Sequence, residues 1–572
     1  MTMYLRRYSV CCAILAISLL ALPSFAAHPP AVRGWGGAVA SAAPDATEAG
    51  IEVLGAGGNA VDAAVASALA LAVVHPNAGN LGGGGFAVIR SDGVVRTLDF
   101  RETAPAAATR DMFMEDLGQS ASGGSLVGPL AAGVPGSPAG LYELHRRLGR
   151  LPWSRVVAPA VRLARDGFVV NRRLAWKLEG SKDLLSLFPE TASVWLPEGE
   201  APLAGTVIRL PVLARTLQAY SDRGPEAITI GEVARAIEAA SSRHGGVLTA
   251  ADLAEYRPVW REPIRFEAFG WEVASMGLPS SGGIILGQTL GLLERVGWAD
   301  KARFGADRVH LLAEVWRRAY ADRFQLGDPA TSVAGWRDLL AEAWLDRRAA
   351  DILIERATPS DEIFAWQPRG QEKDETTHLS VVDADGGAVA LTTTLNGNFG
   401  CGLLVAEAGF LLNNEMDDFA ARPGEPNQFG LIQGEANAVA PGKRMLSSMT
   451  PTIAWTKGRV MALGAPGGSR IPTGTAQVFL NVVVDGDELQ AAVDRARVHH
   501  QWRPDVLWAE DDALSPETRA VLEQRGHTVM IGGGVGLVQV VVRGLDGVVE
   551  AVADPRGPGS AAVLRSSAKE KK

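Results

Sequence analysis

The 572-residue sequence contains only three cysteines, and two of them, Cys11 and Cys12, lie in its first thirty residues. If that segment is removed from the mature protein, Cys401 remains alone and no internal disulfide can form. We therefore expect a packed hydrophobic core, rather than disulfide bonds, to stabilise the mature chain.

The sequence also lacks an excess of positive charge. Its 55 lysines and arginines are outnumbered by 64 aspartates and glutamates, which gives a formal net charge of −9. Nucleic acids and anionic membranes are therefore not expected as partners, because proteins bind both through basic surfaces. With 47% apolar and 21% charged residues, the composition is that of a globular protein and excludes a disordered or collagen-like chain. Small molecules or peptides are the expected ligands.

The first 26 residues have the pattern of a secretory signal peptide. Arg6 and Arg7 form a positively charged start, residues 10–22 are apolar, and a small-x-small pattern ends at Ala26. The apolar stretch is shorter than the about 20 residues that a membrane span needs, so removal is favoured over an uncleaved anchor. Residues 60–74 are also too short to span a membrane, and a buried helix is expected there. The protein is predicted to be periplasmic or secreted.

Several common catalytic and cofactor motifs are missing. The sequence contains no G-x-x-x-x-G-K-[ST], H-E-x-x-H, EF-hand or G-x-S-x-G pattern. Residues 55–60 fit G-x-G-x-x-A, but His75 and Pro76 stand where a ribose-binding acid is expected, so a helix-breaking turn is favoured. His499 and His500 have no further ligands at zinc spacing and are interpreted as core or surface histidines.

The pattern of the sequence changes at residue 376. Residues 140–360 have mostly helical periodicity, and residues 357–375 are polar and are predicted to form an exposed linker. From residue 376 onward the pattern is that of alternating strands, beginning with a hairpin of residues 377–382 and 388–394. Helices on both sides of a strand-rich centre predict sheets with helices packed on their outer faces.

A threonine at the junction of linker and hairpin is the strongest chemical signal. Thr376 follows Glu375 directly before the first strand. If the chain is cut between them, the new α-amine has a pKa of about 7.7 to 8.0 and can accept the proton of its own residue's hydroxyl. An amide nitrogen in an uncut chain cannot do this, so cleavage would act as a switch.

Polar groups elsewhere in the sequence support this interpretation. Thr394 and Asn396 end the second hairpin strand, which antiparallel pairing returns close to Thr376. Adjacent glycines at a strand end, Gly467 and Gly468, can present their N–H groups as an oxyanion hole.

Other segments offer groups for a charged ligand. Residues 413–418 end another strand with acids that could hold an ammonium, and Ser447 and Ser448 add short donors in a further loop. Arg101 ends a strand in the first half of the chain. A guanidinium can bind a carboxylate through two hydrogen bonds, although an ion pair at a strand end is the commoner explanation.

Taken together, these motifs resemble the γ-glutamyltranspeptidase family of N-terminal nucleophile hydrolases. The resemblance extends over nearly the whole mature chain and rests on residues 57–64, 82–86, 99–105, 279–283, 376–378, 412–419, 446–449 and 467–470. It implies an α+β fold, an αββα four-layer sandwich, made as an inactive precursor that cuts itself between Glu375 and Thr376. Residues 1–26 would be the signal peptide, residues 27–375 the large subunit and residues 376–572 the small subunit of a heterodimer.

The resemblance also implies roles for individual residues. Thr376 would be the nucleophile and its α-amine the general base, with assistance from the Thr394 hydroxyl. Gly467 and Gly468 would hold the oxyanion. The α-carboxylate and α-amino group of a γ-glutamyl donor would be bound by Arg101, Ser447 and Ser448, and by Asn396, Glu415 and Asp418, respectively. No metal or organic cofactor is implied, because the chain supplies all of these groups.

The implied reaction is transfer of a γ-glutamyl group, with glutathione as the expected donor, through an ester on Thr376 to water, an amino acid or a dipeptide. Two alternatives stay open. A glutaryl or cephalosporin acylase could share the fold, but its substrates lack an α-amino group, and Glu415 and Asp418 favour a γ-glutamyl donor. A catalytically silent secreted binding protein is the other alternative, and the presence of Thr376 and Thr394 argues against it.

One position departs from the family pattern. Residues 423–436 resemble the family's lid loop, but Phe429 stands where well-known bacterial members have a tyrosine. A phenyl ring cannot donate the hydrogen bond that would tie the lid to Asn396. A more mobile lid and a changed balance between hydrolysis and transfer are therefore predicted.

Overall fold

The computed structural model describes residues 30–113, 124–332, 335–363 and 376–565. The predicted signal peptide, Glu375 and the second half of the predicted linker lie outside the described residues. Within the described ranges, no helix is both long enough and apolar enough to cross a membrane.

Fourteen of the strands in the described residues form two large sheets, and the others form small two- and three-stranded sheets. In chain order the strands are β1 (Val32–Gly34), β2 (Ala38–Ser41), β3 (Gly84–Ser91), β4 (Val94–Phe100), β5 (Phe168–Val169), β6 (Val207–Ile208), β7 (Val259–Arg261), β8 (Ile264–Ala268), β9 (Trp271–Ser275), β10 (Thr377–Val382), β11 (Ala388–Thr394), β12 (Leu404–Val405), β13 (Phe410–Leu411), β14 (Thr452–Thr456), β15 (Arg459–Gly464), β16 (Val498–His499), β17 (Leu507–Ala509), β18 (Val529–Ile531), β19 (Gln539–Arg543), β20 (Val549–Ala553) and β21 (Ser560–Val563).

The α-helices of the described residues lie mostly before residue 376. In chain order they are α1 (Pro44–Gly55), α2 (Ala60–Val74), α3 (Ser137–Leu148), α4 (Trp153–Asp166), α5 (Arg172–Gly180), α6 (Lys182–Ser186), α7 (Pro189–Trp195), α8 (Pro211–Arg223), α9 (Glu226–Thr229), α10 (Glu232–Arg243), α11 (Ala250–Glu255), α12 (Gly282–Arg295), α13 (Ala306–Arg323), α14 (Glu342–Ala350), α15 (Ser360–Ile363), α16 (Ile471–Val483), α17 (Leu489–Asp494) and α18 (Pro516–Gln524).

Both large sheets combine strands from before and after Thr376. One has the order β21-β2-β10-β11-β3-β4-β7 and the other β1-β20-β19-β15-β14-β9-β8. Neighbouring strands such as β2 and β10, or β11 and β3, pair in antiparallel register across the predicted cleavage point. The hydrogen bonds between these strands do not depend on the peptide bond before Thr376, so the two parts share one fold whether or not that bond is intact.

The two sheets pack face to face, and helices cover both outer faces. The residues between the sheets are mainly alanine and valine, including Ala40, Ala390, Ala462 and Val541. The helices α1 and α2 pack on the outer face of the sheet that contains β10, and α12 and α16 pack on the other. This helix–sheet–sheet–helix order confirms the predicted αββα fold.

The apolar segment at residues 60–74 is a buried helix, as predicted. All residues of α2 are buried. The Asn59 side chain accepts hydrogen bonds from the N–H groups of Val61 and Asp62, and the Asp62 carboxylate accepts one from the N–H of Asn59, which forms a capping box. Asp62 also accepts from the backbone of Arg150 and Leu151. Its buried carboxylate is therefore satisfied by hydrogen bonds.

Within residues 357–363 the prediction of an exposed linker is wrong for Ala357 and Ser360, whereas Pro359, Asp361 and Glu362 are exposed as predicted. This part of the segment contains the short helix α15 and buries Ala357 and Ser360. The Ser360 hydroxyl donates to the carbonyl of Trp502 at 2.6 Å. Polar residues without apolar periodicity are buried here because hydrogen bonds to the second half of the chain satisfy them.

Candidate active site

The hairpin of β10 and β11 brings Thr376 and Thr394 together. Thr377 pairs with Thr393, so the residue before β10 lies opposite the end of β11. The two hydroxyl oxygens of Thr376 and Thr394 are 3.5 Å apart, and both residues are buried. Thr394 Oγ1 also accepts a hydrogen bond from the N–H of Asn396 at 2.7 Å. The Thr394 hydroxyl is therefore held in place beside Thr376.

Asn396 forms the turn that follows β11. Its φ of +72° lies in the left-handed region, which is uncommon for residues other than glycine. Its Nδ2 donates to the carbonyl of Asn414 at 3.0 Å. This bond fixes the turn and orients the amide group at the wall of a cavity.

A small cavity lies beside Thr376. We call it the acidic cavity. It collects nine of the ten predicted catalytic and substrate-binding residues, together with four apolar side chains. Its lining consists of Arg101, Thr376, Thr394, Asn396, Glu415, Asp418, Ser447, Ser448 and Gly468, and of Phe429, Leu431, Met449 and Ile471.

Arg101 is ion-paired with two carboxylates of the acidic cavity. Its Nη1 donates to Glu415 and its Nη2 to Asp418, and a carboxylate oxygen of Glu102 lies 3.7 Å from Nη1. The sequence predicts the arginine for a ligand's carboxylate and the acids for its ammonium. In the structure these groups bind one another. An amino acid ligand would therefore replace some of the existing hydrogen bonds between them.

Buried carboxyl groups outnumber the guanidinium in this network. Burial raises the pKa of Glu415 and of Asp418, although Arg101 opposes both shifts. Burial also raises the pKa of Glu102 to about 7. Burial disfavours the charge of Arg101 as well, but the surrounding carboxylates outweigh it and raise the arginine's pKa. A ligand that brings a further positive charge would be stabilised here.

Two buried polar atoms of the acidic cavity have no hydrogen-bond partner among the described residues. They are Glu415 Oε2, which is an acceptor when ionised, and Ser448 Oγ, which can donate. Leaving such an atom unpaired costs about 1–3 kcal/mol, so these atoms mark positions for ligand groups. An amino acid head group offers both partners, an ammonium for the carboxylate oxygen and a carboxylate for the hydroxyl.

Comparison with known proteins agrees with the family resemblance found in the sequence. The model of the family described as gamma-glutamyltranspeptidase matches residues 46–564. The chain belongs to the γ-glutamyltranspeptidase family. It is 44% identical over 536 residues to the glutathione hydrolase proenzyme of Escherichia coli (strain K12), covering 92% of this chain and 91% of that relative. It is 42% identical over 540 residues to the glutathione hydrolase proenzyme of Pseudomonas aeruginosa, covering 93% of this chain and 95% of that relative.

One similar solved structure is that of an enzyme with a different activity. The crystal structure of cephalosporin acylase from Bacillus halodurans aligns with a TM-score of 0.84 and 26% sequence identity, covering 96% of this chain and 99% of that chain. The predicted family, the predicted fold and the prediction of an enzyme are confirmed by these similarities together.

The two glycines of the γ-glutamyltranspeptidase motif lie beside Thr376. Gly468 lines the acidic cavity, whereas Gly467 lines a second cavity that also includes Thr376. Their φ angles of +131° and +51° are readily adopted only by glycine. The turn before α16 therefore requires these glycines, and their N–H groups stay the predicted oxyanion donors.

The predicted lid, residues 423–436, is anchored over the acidic cavity. Asn427 Nδ2 donates to Asp418 Oδ1 at 2.9 Å. The ring of Phe429 is buried against the cavity, and Gln501 donates to the Phe429 carbonyl at 3.2 Å. The hydroxyl that a tyrosine would contribute is missing, but these two hydrogen bonds hold the loop. A more mobile lid stays a prediction.

A second buried arginine near the acidic cavity was not found from the sequence. Arg323, the last residue of α13, donates from Nε to Ser281 Oγ at 3.0 Å. Ser281 in turn donates from its hydroxyl and its N–H to the carbonyl of Ser447. Burial lowers the pKa of Arg323 to about 10, and Asp418 opposes this shift. The motif at residues 279–283 marks the loop that contains Ser281. However, the helical pattern of α13 does not distinguish Arg323 from the other arginines of that helix.

One group of side chains in the described residues has the spacing of a metal site. Ligand atoms of His310, Glu314 and His527 lie within 4.8 Å of one another. However, the two imidazoles bond each other at 2.8 Å, and the Glu314 carboxylate is ion-paired with Arg317 and Arg318. Two adjacent guanidinium groups oppose a cation. The group is better explained as a polar network between the two halves of the chain.

His499 and His500 are core histidines, one of the two placements predicted. Both are fully buried. His499 Nδ1 bonds Thr473 Oγ1 at 2.8 Å, and His500 Nε2 bonds Asp505 Oδ1 at 3.1 Å. Burial lowers the pKa of His500 to about 4, so its ring is neutral at physiological pH.

Proposed function

We propose that this protein transfers the γ-glutamyl group of glutathione, or of a related γ-glutamyl amide, to water or to the amine of an amino acid or dipeptide. The observation that carries the proposal is the pair of unfilled atoms in the acidic cavity, Glu415 Oε2 and Ser448 Oγ, close to Arg101 and Thr376. A γ-glutamyl donor has an ammonium and a carboxylate on one carbon, and a short methylene chain connects that carbon to the reacting carbonyl. The similarity to two glutathione hydrolase proenzymes supports glutathione as the donor.

The donor's head group would replace part of the network around Arg101. Its carboxylate would accept hydrogen bonds from Arg101, Ser447 and Ser448. Its ammonium would donate to the unfilled Glu415 oxygen and to Asp418 and Asn396. Arg101 stays charged throughout and can therefore bind the incoming carboxylate. Glu415 and Asp418, which bind Arg101 in the empty site, would then also accept hydrogen bonds from the ammonium.

The reaction would proceed in two steps through Thr376. In the first, Thr376 Oγ1 attacks the γ-carbonyl carbon, its proton passes to the α-amine, and the N–H groups of Gly467 and Gly468 stabilise the oxyanion. The C–N bond breaks, and the leaving amine takes the proton. In the second, water or an acceptor amine attacks the ester, the C–O bond to Thr376 breaks, and the proton released by the attacking group returns to Thr376 Oγ1.

The α-amine exists only after cleavage, so we infer that the chain is a precursor that cuts itself between Glu375 and Thr376. Residues 27–375 and 376–572 would then form a heterodimer, and residues 1–26 would direct export to the periplasm or beyond. At about 105 Da per residue, from 60.2 kDa over 572 residues, the two pieces should have masses of roughly 37 and 21 kDa. A purified wild type that stays in one piece would contradict this scheme.

The donor is best tested with two anilides that differ only in the α-amino group. The processed enzyme is expected to release aniline from a γ-glutamyl anilide with a kcat/KM at least about 100-fold higher than from the matching glutaryl anilide. A site with buried groups for a ligand's charge rejects an analogue that lacks the charge, because those groups are then left unpaired.

The opposite preference would favour the acylase alternative. Equal or faster cleavage of the glutaryl anilide would mean that Glu415 and Asp418 serve the structure and not the donor. The similarity to the cephalosporin acylase structure makes this comparison necessary. A dipeptide added to the γ-glutamyl anilide reaction should accelerate aniline release if the enzyme is a transferase as well as a hydrolase.

A further inference from the structure

The last turn of α13 and the residue that follows it contact three separate loops of the candidate active site. Each contact is a hydrogen bond, and the bonded pairs are Tyr320 with Ser469, Arg323 with Ser281, and Phe324 with Gly434. The described lining of the acidic cavity includes none of the three residues of this turn. They can therefore affect a bound ligand only through the loops that they hold.

Arg323 holds the loop that carries Ser447 and Ser448. Arg323 is buried, and its Nε donates to Ser281 Oγ at 3.0 Å. Because the Ser281 hydroxyl accepts this bond, its one hydrogen is left to donate to the carbonyl of Ser447, at 2.8 Å. The N–H of Ser281 donates to the same carbonyl at 2.9 Å. Two hydrogen bonds thus fix the backbone of Ser447, and Arg323 orients one of them.

Arg323 also brings a second positive charge to the acids of the acidic cavity. Burial raises the pKa of Asp418, and the charges of Arg101 and Arg323 both oppose that shift. Nη1 of Arg323 is buried and has no hydrogen-bond partner among the described residues. The guanidinium therefore favours the ionised form of Asp418, which is the form that a ligand's ammonium requires.

Tyr320 holds the turn that contains the predicted oxyanion donors. It is buried, and its hydroxyl donates to the carbonyl of Ser469, the residue directly after Gly468. The N–H of Arg470 donates to the carbonyl of Gly467 at 2.8 Å and closes the same turn. The conformation of the turn, and with it the direction of the Gly468 N–H, is therefore fixed by its own backbone and by a side chain of α13.

We propose that the last turn of α13 positions the active site for two different stages of the reaction. Arg323 is a positioning residue for donor binding, because it holds the loop of Ser447 and Ser448. Tyr320 is a positioning residue for the chemical steps, because it holds the turn whose N–H groups stabilise the oxyanion. This inference rests on the proposed γ-glutamyl transfer.

The effect of Arg323 is tested by separating KM from kcat. Arg323→Met in the processed enzyme should raise the KM for the γ-glutamyl anilide and the Kd for L-glutamate by about tenfold, and should change kcat by less than about twofold. Arg323→Lys keeps a charge and a donor and should recover part of the loss. Arg308→Met is the matched control, because Arg308 is a buried arginine that is ion-paired with Asp485 about 22 Å away along the same helix.

Tyr320 is tested by removing only its hydroxyl. Tyr320→Phe should lower kcat by about tenfold and leave the KM for the γ-glutamyl anilide and the Kd for L-glutamate within about twofold, since the oxyanion forms only during the reaction. Tyr220→Phe is the matched control, because Tyr220 is a buried tyrosine that donates to the carbonyl of Pro138 at 2.5 Å, and neither residue lines the acidic cavity. All rates are expressed per cut chain, which denaturing gels measure.

The outcomes separate this inference from the proposed function. Variants of Arg323 and Tyr320 that change KM and kcat alike, or no more than their controls do, would overturn the inference even if the wild type cleaves the γ-glutamyl anilide. If Arg323→Met stays uncut, Arg323→Lys provides the same comparison. A wild type that prefers the glutaryl anilide would overturn the proposed donor, but Tyr320→Phe should still lower kcat for that substrate by about tenfold.

Discussion

The two cavities that meet at Thr376 have opposite characters. The acidic cavity is small, and its Arg101 guanidinium is ion-paired with the buried carboxyl groups of Glu415 and Asp418, which line the cavity, and of Glu102, which does not. The second cavity, called the basic cavity, is larger and is lined by Arg173, Lys177, Arg470 and five glycines, and its described lining includes no carboxylate. A single buried hydroxyl lies between them.

This contrast gives the two sides of Thr376 a different charge and a different size. In the proposed reaction, the acidic cavity recognises the donor's amino acid head group through its two charges.

The largest expected effect is the loss of the hydroxyl that both cavities share. Thr376→Ala should leave the chain uncut and lower anilide release by about 10⁴-fold or more, because the nucleophile and the future base are both lost. Denaturing gels and anilide assays measure the two effects. Thr377→Val is the matched control, because the adjacent hydroxyl is buried without a hydrogen-bond partner in the described part of the chain. Cleavage and activity of the Thr376→Ala protein would disprove the mechanism.

A second test replaces the guanidinium of the acidic cavity with an ammonium, which keeps the positive charge but loses the paired hydrogen bonds. Arg101→Lys should lower kcat/KM for the γ-glutamyl anilide by about 100-fold, since an ammonium cannot replace the two-pronged hydrogen bonding of a guanidinium. Arg261→Lys, at a half-buried ion pair with Asp99, serves as the control for a lysine substitution in the same sheet region. An equal loss for Arg261→Lys would indicate a general structural defect.

The pH dependence of binding should differ between ligands with and without an ammonium. Burial raises the pKa of Glu102 to about 7, so this group takes up a proton as the pH falls through about 7. Burial also raises the pKa of Glu415 and Asp418, so both carboxylates are protonated at a higher pH than ordinary carboxylates are. L-Glutamate needs the ionised carboxylates for its ammonium. Its affinity should therefore fall as pH falls, by up to about tenfold per pH unit.

Glutarate is the matched ligand for this measurement, because it lacks only the ammonium. Its binding should not weaken between pH 8 and 6, since neutral carboxyl groups repel an anion less than carboxylates do. Calorimetric titrations of both ligands at each pH would give the two slopes. Identical slopes would show that the carboxyl groups do not face the ligand's ammonium.

The smallest expected effect concerns the lid. Phe429→Tyr would add a hydroxyl close to Asn396 and should change the ratio of transfer to hydrolysis by about two- to fivefold, through one additional hydrogen bond. The ratio is obtained from the products formed by γ-glutamyl anilide with and without a dipeptide. An unchanged ratio and an unchanged donor KM would refute the predicted role of position 429.

Periodicity and spacing were sufficient to predict the main structural features. The β10–β11 hairpin was predicted because alternating apolar residues flank a turn, and the turn between α1 and α2 because Gly55 and Asn59 interrupt a helical pattern. These signals lie within short stretches of the sequence, so they can be recognised without knowledge of the fold. The collinear motifs then extended the prediction to the αββα architecture.

Features that depend on contacts between distant segments could not be predicted. Arg101 binds Glu415 and Asp418 directly, although a single sequence does not indicate that they will pair. Arg323 and Lys177 lie in ordinary helical patterns. Only the packing of α13 brings Arg323 near Asp418, and only the packing of α5 brings Lys177 to a cavity that includes Thr376. The burial of Ser360 depends on the carbonyl of Trp502, more than a hundred residues away.

The proposed reaction depends on a γ-glutamyl ester that forms on Thr376, between the two cavities. We would quench the processed enzyme during turnover of a γ-glutamyl anilide and map the modified peptide of the small subunit by mass spectrometry, with and without glycylglycine. We expect one γ-glutamyl group on Thr376, with less of it and a γ-glutamyl dipeptide product when glycylglycine is present. A γ-glutamyl group on another residue, or turnover with no ester on Thr376, would contradict it.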